Sequence, residues 1–503
     1  MQSLNYQSKN KAEVNIMSEE IKNLEPKEVW ENFYLLTQCP RPSNHEEKAR
    51  EAVMNWAKER NFDAEIDETG NIIIRKAATP GMEDRMGCIL QGHLDMVPQK
   101  NNDTVHDFEK DPIDAYVEGE WVTARGTTLG ADNGMGVAAG MALLESTDIP
   151  HGPIEVLITA TEETGMDGAE NLKPGVLKGD ILLNLDSETE GELYVGCAGG
   201  IDGNFTFNYK NVDVPAGVKA CNVEIKGLKG GHSGMDIILG RGNSNKLLFR
   251  FIKKAYRELG ARLVSVNGGS LRNAIPRESM ATVVVPEANV EAFVALKEEF
   301  EAIFKSEFKA VEPDLEFKLE ACDTPAQMIE EKVQLNLINA VLACPNGVMR
   351  MSDAMEGLVE TSNNLAFVES KDGVITISCL LRSAVDSAKL ALVEVMTSVF
   401  EMAQADTIDF TGEYPGWQPN MESPILKTMQ ETYNKMFGSV PEIKAIHAGL
   451  ECGLLGHTYP NWDMISFGPT IQSPHSPDER VNIASVGKFW DFFKETLKNV
   501  PTK

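Results

Sequence analysis

Three uninterrupted apolar runs in the first 190 residues each stop at an acid or a histidine. They are MGCILQG (86–92) before His93, PIEVLITA (153–160) before Thr161-Glu162-Glu163, and ILLNL (181–185) before Asp186. Runs this short, mainly apolar and without regular polar alternation, read as strands buried on both faces. Helical spacing lies around them. Trp30, Phe33 and Leu36, then Ala52, Met54 and Trp56, recur among charges over 27–60, and ADNGMGVAAGMALLE (131–145) is a helix of small residues. DAEIDETGNIIIRKA turns at Thr69-Gly70 between two extended stretches. Such alternation predicts an α/β layer with a largely parallel sheet, and sheets of that kind bind ligands at the carboxyl ends of their strands. The acids and histidines stand where chemistry is expected.

From about residue 200 to 400 the texture changes. NFTFNYK, KACNVEIKG, SMATVVVP, DLEFKLEA and GVITISCLLRSA alternate or are β-branched, with helices such as 289–306 between them. This predicts an α+β domain inserted into the first. Residues 422–503 return to helix, strand and helix, with Met464-Ile465-Ser466-Phe467 as a closing strand. The expected organisation is a polar extension over 1–16, a first domain over 17–199 and 411–503, and an insertion over 200–410. Residues 101–121, rich in Asp and Asn, read as a surface excursion.

Charge and cysteine usage exclude whole classes of function. Seventy-six acids against 47 bases give −29, with a pI near 4.7. That balance disfavours wrapping phosphates or lying on an anionic leaflet. The eight cysteines are scattered singly with no C-x-x-C, against a zinc-finger cluster, a redox pair or a disulfide framework. No apolar run approaches the ~18 residues of a membrane helix, and MQSLNYQSKNKAEVNI lacks the features of a signal peptide. A cytoplasmic protein with no nucleic-acid or membrane partner is expected.

The strand-end residues form a set. In Gly92-His93-Leu94-Asp95, period-2 geometry turns His93 and Asp95 to one face, where a carboxylate can hold the second nitrogen of a metal-binding imidazole. Asp132 opens the small-residue helix, so capping is its ordinary role. The neighbouring Gly134-x-Gly136-x-x-x-Gly140 falls one residue off the dinucleotide fingerprint and lacks a preceding buried strand, so close helix packing is the better reading. Glu162 and Glu163, adjacent at the end of a buried strand, are costly unless a cation compensates them. Asp186 repeats the acid-at-strand-end pattern. His475 sits in the proline-bracketed Ser473-Pro474-His475-Ser476-Pro477, where a lone histidine is usually only exposed. Each signal is modest. Together two histidines and four carboxylates can supply two divalent ions with N and O ligands, and a metal pair about 3.5–4 Å apart is a hydrolytic device.

At this point GHLDMVPQK, GTTLGADNGMGVA, TATEETGMDGAENL, NLDSE and SPHSPDER together resemble the metal-site motifs of the di-zinc exopeptidases, the group that includes carboxypeptidase G, aminoacylase and carnosinase. HLDMVPQK with the following NDTVHDF, and GGHSGMDI, resemble its cytosolic branch acting on aminoacyl-histidine dipeptides. The resemblance covers about residues 17–503. It implies a discontinuous catalytic domain interrupted by an α+β lid. It implies that Asp132 bridges two zinc ions, with His93 and Asp186 completing one site and Glu163 and His475 the other. Asp95 would support His93, and Glu162 would be the general base. Manganese and cobalt suit the same ligands. The implied reaction is cleavage of unblocked dipeptides, Xaa-His and β-alanyl-histidine among them, by attack of a metal-bound hydroxide. The alternative on the same centre is an amidohydrolase of N-acyl amino acids.

His232, in Lys229-Gly230-Gly231-His232-Ser233-Gly234, is the candidate oxyanion donor of the lid. Arg382, after the apolar ISCLL, is a candidate clamp for the substrate carboxylate, with a structural salt bridge as the other reading. Asn267, Asn364 and Glu451 are weaker candidates for holding substrate termini, Glu451 by charge for an α-ammonium, and an ordinary structural role is the favoured reading of each. The partner is a small peptide, and the resemblance makes a homodimer plausible.

Overall fold

In the computed structural model, which describes residues 19–503, the three apolar runs form the centre of one eight-stranded sheet. Cys88–His93 pairs in parallel with both Ile154–Thr159 and Ile181–Asn184. Asp463–Ser466 adds a fourth parallel strand beside Ile181–Asn184. Ile72–Lys76 and Asp63–Ile66 extend one side antiparallel, and Glu192–Cys197 lies antiparallel to Asp463–Ser466 on the other. Every residue of the three central runs is buried, which is why their sequence does not alternate. Burying each Ile or Leu there contributes roughly 1.5–3 kcal/mol. Because these strands run one way, their carboxyl ends share an edge: His93 is level with Thr159, and Gln91 with Asn184. The polar extension 1–16 lies outside the described residues.

The helix Ala131–Glu145 packs against this sheet on its small residues. A Cβ at Gly134 would come within about 3 Å of Phe33 and Arg41. At Gly136 it would press on the backbone oxygen of Leu185, and at Gly140 it would lie 3.2 Å from Val156 Cγ1. These glycines serve close packing. Gly130, at φ 71°, turns the chain into the helix through the left-handed region.

Residues 101–121 are more than an excursion. Ala115–Glu118 pairs with Trp121–Ala124, which pairs with Arg480–Asn482, which pairs with Ile471–Gln472. The resulting four-stranded sheet carries the loop with His475. Strands of two to four residues leave too little pattern to be read from sequence.

The described residues up to Gly196, with Asn420–Ala445 and Glu451–Lys503, form one compact unit. Cys197–Pro419 with Ile446–Leu450 form the other. The second unit is α+β: a nine-stranded sheet of antiparallel pairs with the helices Ser244–Leu259, Val290–Glu307, Glu331–Ala343 and Asp386–Met402. Its core is aromatic. Phe205 stacks on Phe400 with centroids 3.6 Å apart, and Phe251 meets Phe317 edge-on at 4.9 Å. The strand Gly199–Asn208 alternates buried and half-buried residues over its second half, as a sheet covered on one face requires. Among the described residues no helix is long and apolar enough to cross a membrane, and no disulfide joins the eight cysteines.

Gly136→Ala should therefore destabilise the protein by about 1–3 kcal/mol, since a backbone carbonyl cannot step aside. Gly140→Ala meets only a side-chain methyl, and a helix-propensity gain of up to about 1 kcal/mol offsets the crowding. Denaturant midpoints should separate the two variants, and equal midpoints would contradict this account of the helix.

Candidate metal centre

His93 ends the strand Cys88–His93 and is buried. Its Nδ1 lies 3.4 Å from Asp95 Oδ1 and 3.2 Å from the Asp95 backbone oxygen. Held there, the ring turns Nε2 toward Asp132 Oδ1 at 3.0 Å and Asp186 Oδ1 at 3.3 Å. Asp132 is not a cap for the helix it opens. Its other oxygen, Oδ2, lies 3.1 Å from His475 Nε2, which is also 3.0 Å from Glu163 Oε2. His475 is presented from a backbone with φ 58°, an uncommon conformation for a residue with a side chain.

Two trios result. His93, Asp132 and Asp186 form one; Asp132, Glu163 and His475 form the other. Within each, the potential ligand atoms lie within 4.8 Å of one another, and Asp132 belongs to both. Glu162 comes within the same reach of His93 and Glu163. Glu163 Oε1 and Asp186 Oδ1 are buried without a well-formed hydrogen bond among the described residues. Buried carboxylate oxygens without donors are costly, and a cation is the partner that would satisfy them. Imidazole and carboxylate together suit zinc, manganese or cobalt. The residues fit a pair of divalent ions.

The titration behaviour shows the same crowding. Burial raises Asp186 to about 6 and lifts Glu162 well above the ordinary carboxylate range. Burial opposes the charge on His93, yet Asp186 and Asp132 hold its pKa well above normal. Hydrogen bonds to Asp132 and Glu163 take His475 up to about 11. Asp95 would also be raised by burial, but bonds from His93 and Ser43 bring it down to about 2.

Several supporting contacts escaped the sequence reading. Asp95 does more than orient His93: its Oδ1 accepts the Glu162 N–H at 3.0 Å, and its Oδ2 accepts the Glu163 N–H at 3.2 Å and the Ser43 hydroxyl at 2.7 Å. One buried carboxylate thus fixes a ligand ring and the start of the glutamate pair. Arg41, also buried, donates to the backbone oxygens of Leu94 (2.8 Å), Asp95 (3.1 Å) and Gly130. Glu479, 1% exposed, accepts four successive N–H groups from Leu129 to Asp132 at 2.8–3.2 Å. Burial pushes its carboxyl up to about 7 against the pull of those donors. Its place in SPDER beside His475 was the only available signal.

Glu451 has the structural setting that was the favoured reading for it. It is fully buried, with Oε2 accepting from Gln91 Nε2 at 2.6 Å and Thr159 Oγ1 at 2.8 Å. Burial raises it to about 8. Its other oxygen, Oε1, has no hydrogen-bond partner among the described residues.

In the second unit, His232 Nδ1 accepts the N–H groups of Gly234 (3.2 Å) and Met235 (3.0 Å). That assigns the proton to Nε2, and burial with the Arg382 charge lowers the pKa, so the ring is a neutral N–H donor. Arg382, 5% exposed, donates to the neutral hydroxyls of Ser233 (3.4 Å) and Tyr414 (2.9 Å) rather than to a carboxylate. Asn364 is committed to structure: its Nδ2 donates to the backbone oxygens of Arg272 (3.0 Å) and Ala274 (2.8 Å). Asn267 is exposed on the strand Arg262–Gly268.

The sequence pattern of peptidase family M20/M25/M40 matches residues 89–499. A cytosol non-specific dipeptidase of Escherichia coli (strain K12) is 49% identical over 484 residues, covering 96% of this chain and 100% of that protein. The crystal structure of aminoacylhistidine dipeptidase from Vibrio alginolyticus superposes with a TM-score of 0.92 at 50% identity, over 97% of this chain and 100% of that one. A tripeptidase from Staphylococcus aureus shares the fold, at a TM-score of 0.55 and 16% identity over 95% of this chain and 99% of its own.

Divalent ions taken up by these groups compete with protons, because the surrounding carboxylates raise the proton affinity of both histidines. Adding zinc to metal-free protein in weak buffer at pH 7 should acidify the solution, and affinity should fall as pH is lowered. Binding with no proton release would contradict this assignment of charge.

Proposed function

Because the chain belongs to peptidase family M20/M25/M40, we propose that it is a two-metal dipeptidase that cleaves unblocked dipeptides, Xaa-His and β-alanyl-histidine among them, in the cytosol. One observation carries the reading: Asp132 offers one oxygen to each of two histidine-and-acid trios. His93, Asp132 and Asp186 would hold one ion, and Asp132, Glu163 and His475 the other. Zinc is our assignment. Bound divalent ions supply Lewis acidity toward a carbonyl oxygen and toward water near neutral pH.

The chain's own residues supply the rest. Asp95 keeps the His93 ring in place and pins the backbone of Glu162. Glu162, its carboxyl raised by burial and by neighbouring acids, lies within reach of His93 and Glu163. It would take a proton from the attacking water and return it to the leaving amine. His232 would donate its Nε2–H to the substrate carbonyl oxygen, where charge develops in the transition state. Arg382, free of an acidic partner in its immediate bonds, would pair with the free carboxylate of a dipeptide. We read the assembly as a homodimer.

Glu162→Gln, with both ions still bound, should lose roughly 10²–10⁴-fold in turnover, the worth of general acid–base assistance. Wild-type turnover in that variant would remove Glu162 from the reaction. Dipeptides with a free amine should be cleaved and their N-acetylated forms refused; preference for the acetylated forms would make the protein an acyl hydrolase. Chelation should abolish activity, and zinc should restore it.

A further inference from the structure

The residues proposed as metal ligands come from five separate segments, and two of the segments that carry the second trio are joined by one side chain. Ile471–Gln472 and Arg480–Asn482 pair as neighbouring strands, with Gln472 level with Arg480, so 473–479 is the loop between them. Glu479 closes that loop. Its backbone oxygen accepts the Thr123 hydroxyl at 2.8 Å, which fixes it to the strand Trp121–Ala124. Its carboxylate leaves the loop and takes four consecutive backbone N–H groups: Leu129 (2.8 Å) and Gly130 (3.0 Å) on Oε2, Ala131 (2.8 Å) and Asp132 (3.2 Å) on Oε1. The last of these amides belongs to Asp132 itself. The backbone oxygen of Gly130 is meanwhile held by Arg41.

We propose that Glu479 is a positioning residue for the cation pair, splinting the loop of His475 to the loop of Asp132 so that both reach one ion. The inference rests on the two-metal reading above. The chemistry of the bond set is specific to a carboxylate, because both oxygens accept and neither donates. An amide in its place keeps one oxygen and turns an NH2 group against two N–H donors, leaving buried backbone amides unsatisfied. Glu479 touches two of the three residues of the second trio through their loops, but only one of the first. Its loss should fall mainly on the second ion.

The test is a zinc titration of the full-length metal-free protein against a competing chelator, for wild type, Glu479→Gln, Glu479→Asp and Glu155→Gln. Glu155 is the control: it lies in the same unit, is also buried, and accepts the Lys178 and Gly179 N–H groups at 2.7 and 2.8 Å. Wild type should bind two zinc ions. Glu479→Gln should bind one of its two ions about 10–100-fold less tightly and keep the other near wild type, the usual effect of losing a group that orients metal ligands. Glu479→Asp, which keeps the charge on a shorter stem, should fall between the two and serves alone if the Gln variant does not fold. Glu155→Gln should melt at a lower temperature with both zinc affinities unchanged. Wild-type affinities in the Glu479 variants would overturn the proposal, as would an equal loss in Glu155→Gln. A wild type that binds fewer than two zinc ions would instead overturn the two-metal reading.

Discussion

The two oxygens of Asp132 face two different histidines, and the architecture of the first unit is arranged around keeping that carboxylate where both can reach it. Two unit charges 4 Å apart at an effective dielectric of about 20 repel by roughly 4 kcal/mol. Asp132 lies within 4.8 Å of Asp186 and of Glu163, and Glu163 within the same reach of Glu162. Divalent ions bound among these acids would relieve this. The backbone therefore has to hold the acids against their own repulsion. Arg41, Asp95 and Glu479, all buried, do so through hydrogen bonds to main-chain groups rather than by packing.

The sheet explains why these residues can meet. Parallel strands send their carboxyl ends to one edge, so His93, Glu162 and Asp186 arrive together although nearly a hundred residues separate the first from the last. The helix from Ala131 brings Asp132 to the same edge, and its glycines set how closely it can lie on the sheet. The small sheet built on 115–124 and 471–482 brings His475 from the far end of the chain.

Much of this was legible in advance because it is local. The buried strands announce themselves by unbroken apolar runs, and the acids by stopping them. His93, Asp95, Asp132, Glu162, Glu163, Asp186 and His475 were named from those positions and from resemblance, and the structure gathers all seven in one place. Glu451 takes the structural role that its sequence already favoured, fully buried against Gln91 and Thr159, although a charge in sequence says nothing of depth. Asn364 looked like a substrate contact and spends its amide on a neighbouring loop. Ser43 and Arg41 carried no motif at all.

What the sequence by itself determined is the set of elements and the kind of groups at their ends, because periodicity and strand termini depend on neighbours a few residues away. What only the tertiary structure decided is which distant groups bond to which. Glu479 accepts the Ala131 amide across 348 residues of chain, and Asn133 donates to Leu185 across 52. Such bonds leave no periodic trace, since their energy depends on a meeting in space that no local pattern encodes. The ligands could be listed from the chain; the bonds that hold them in reach of a common pair of ions could not.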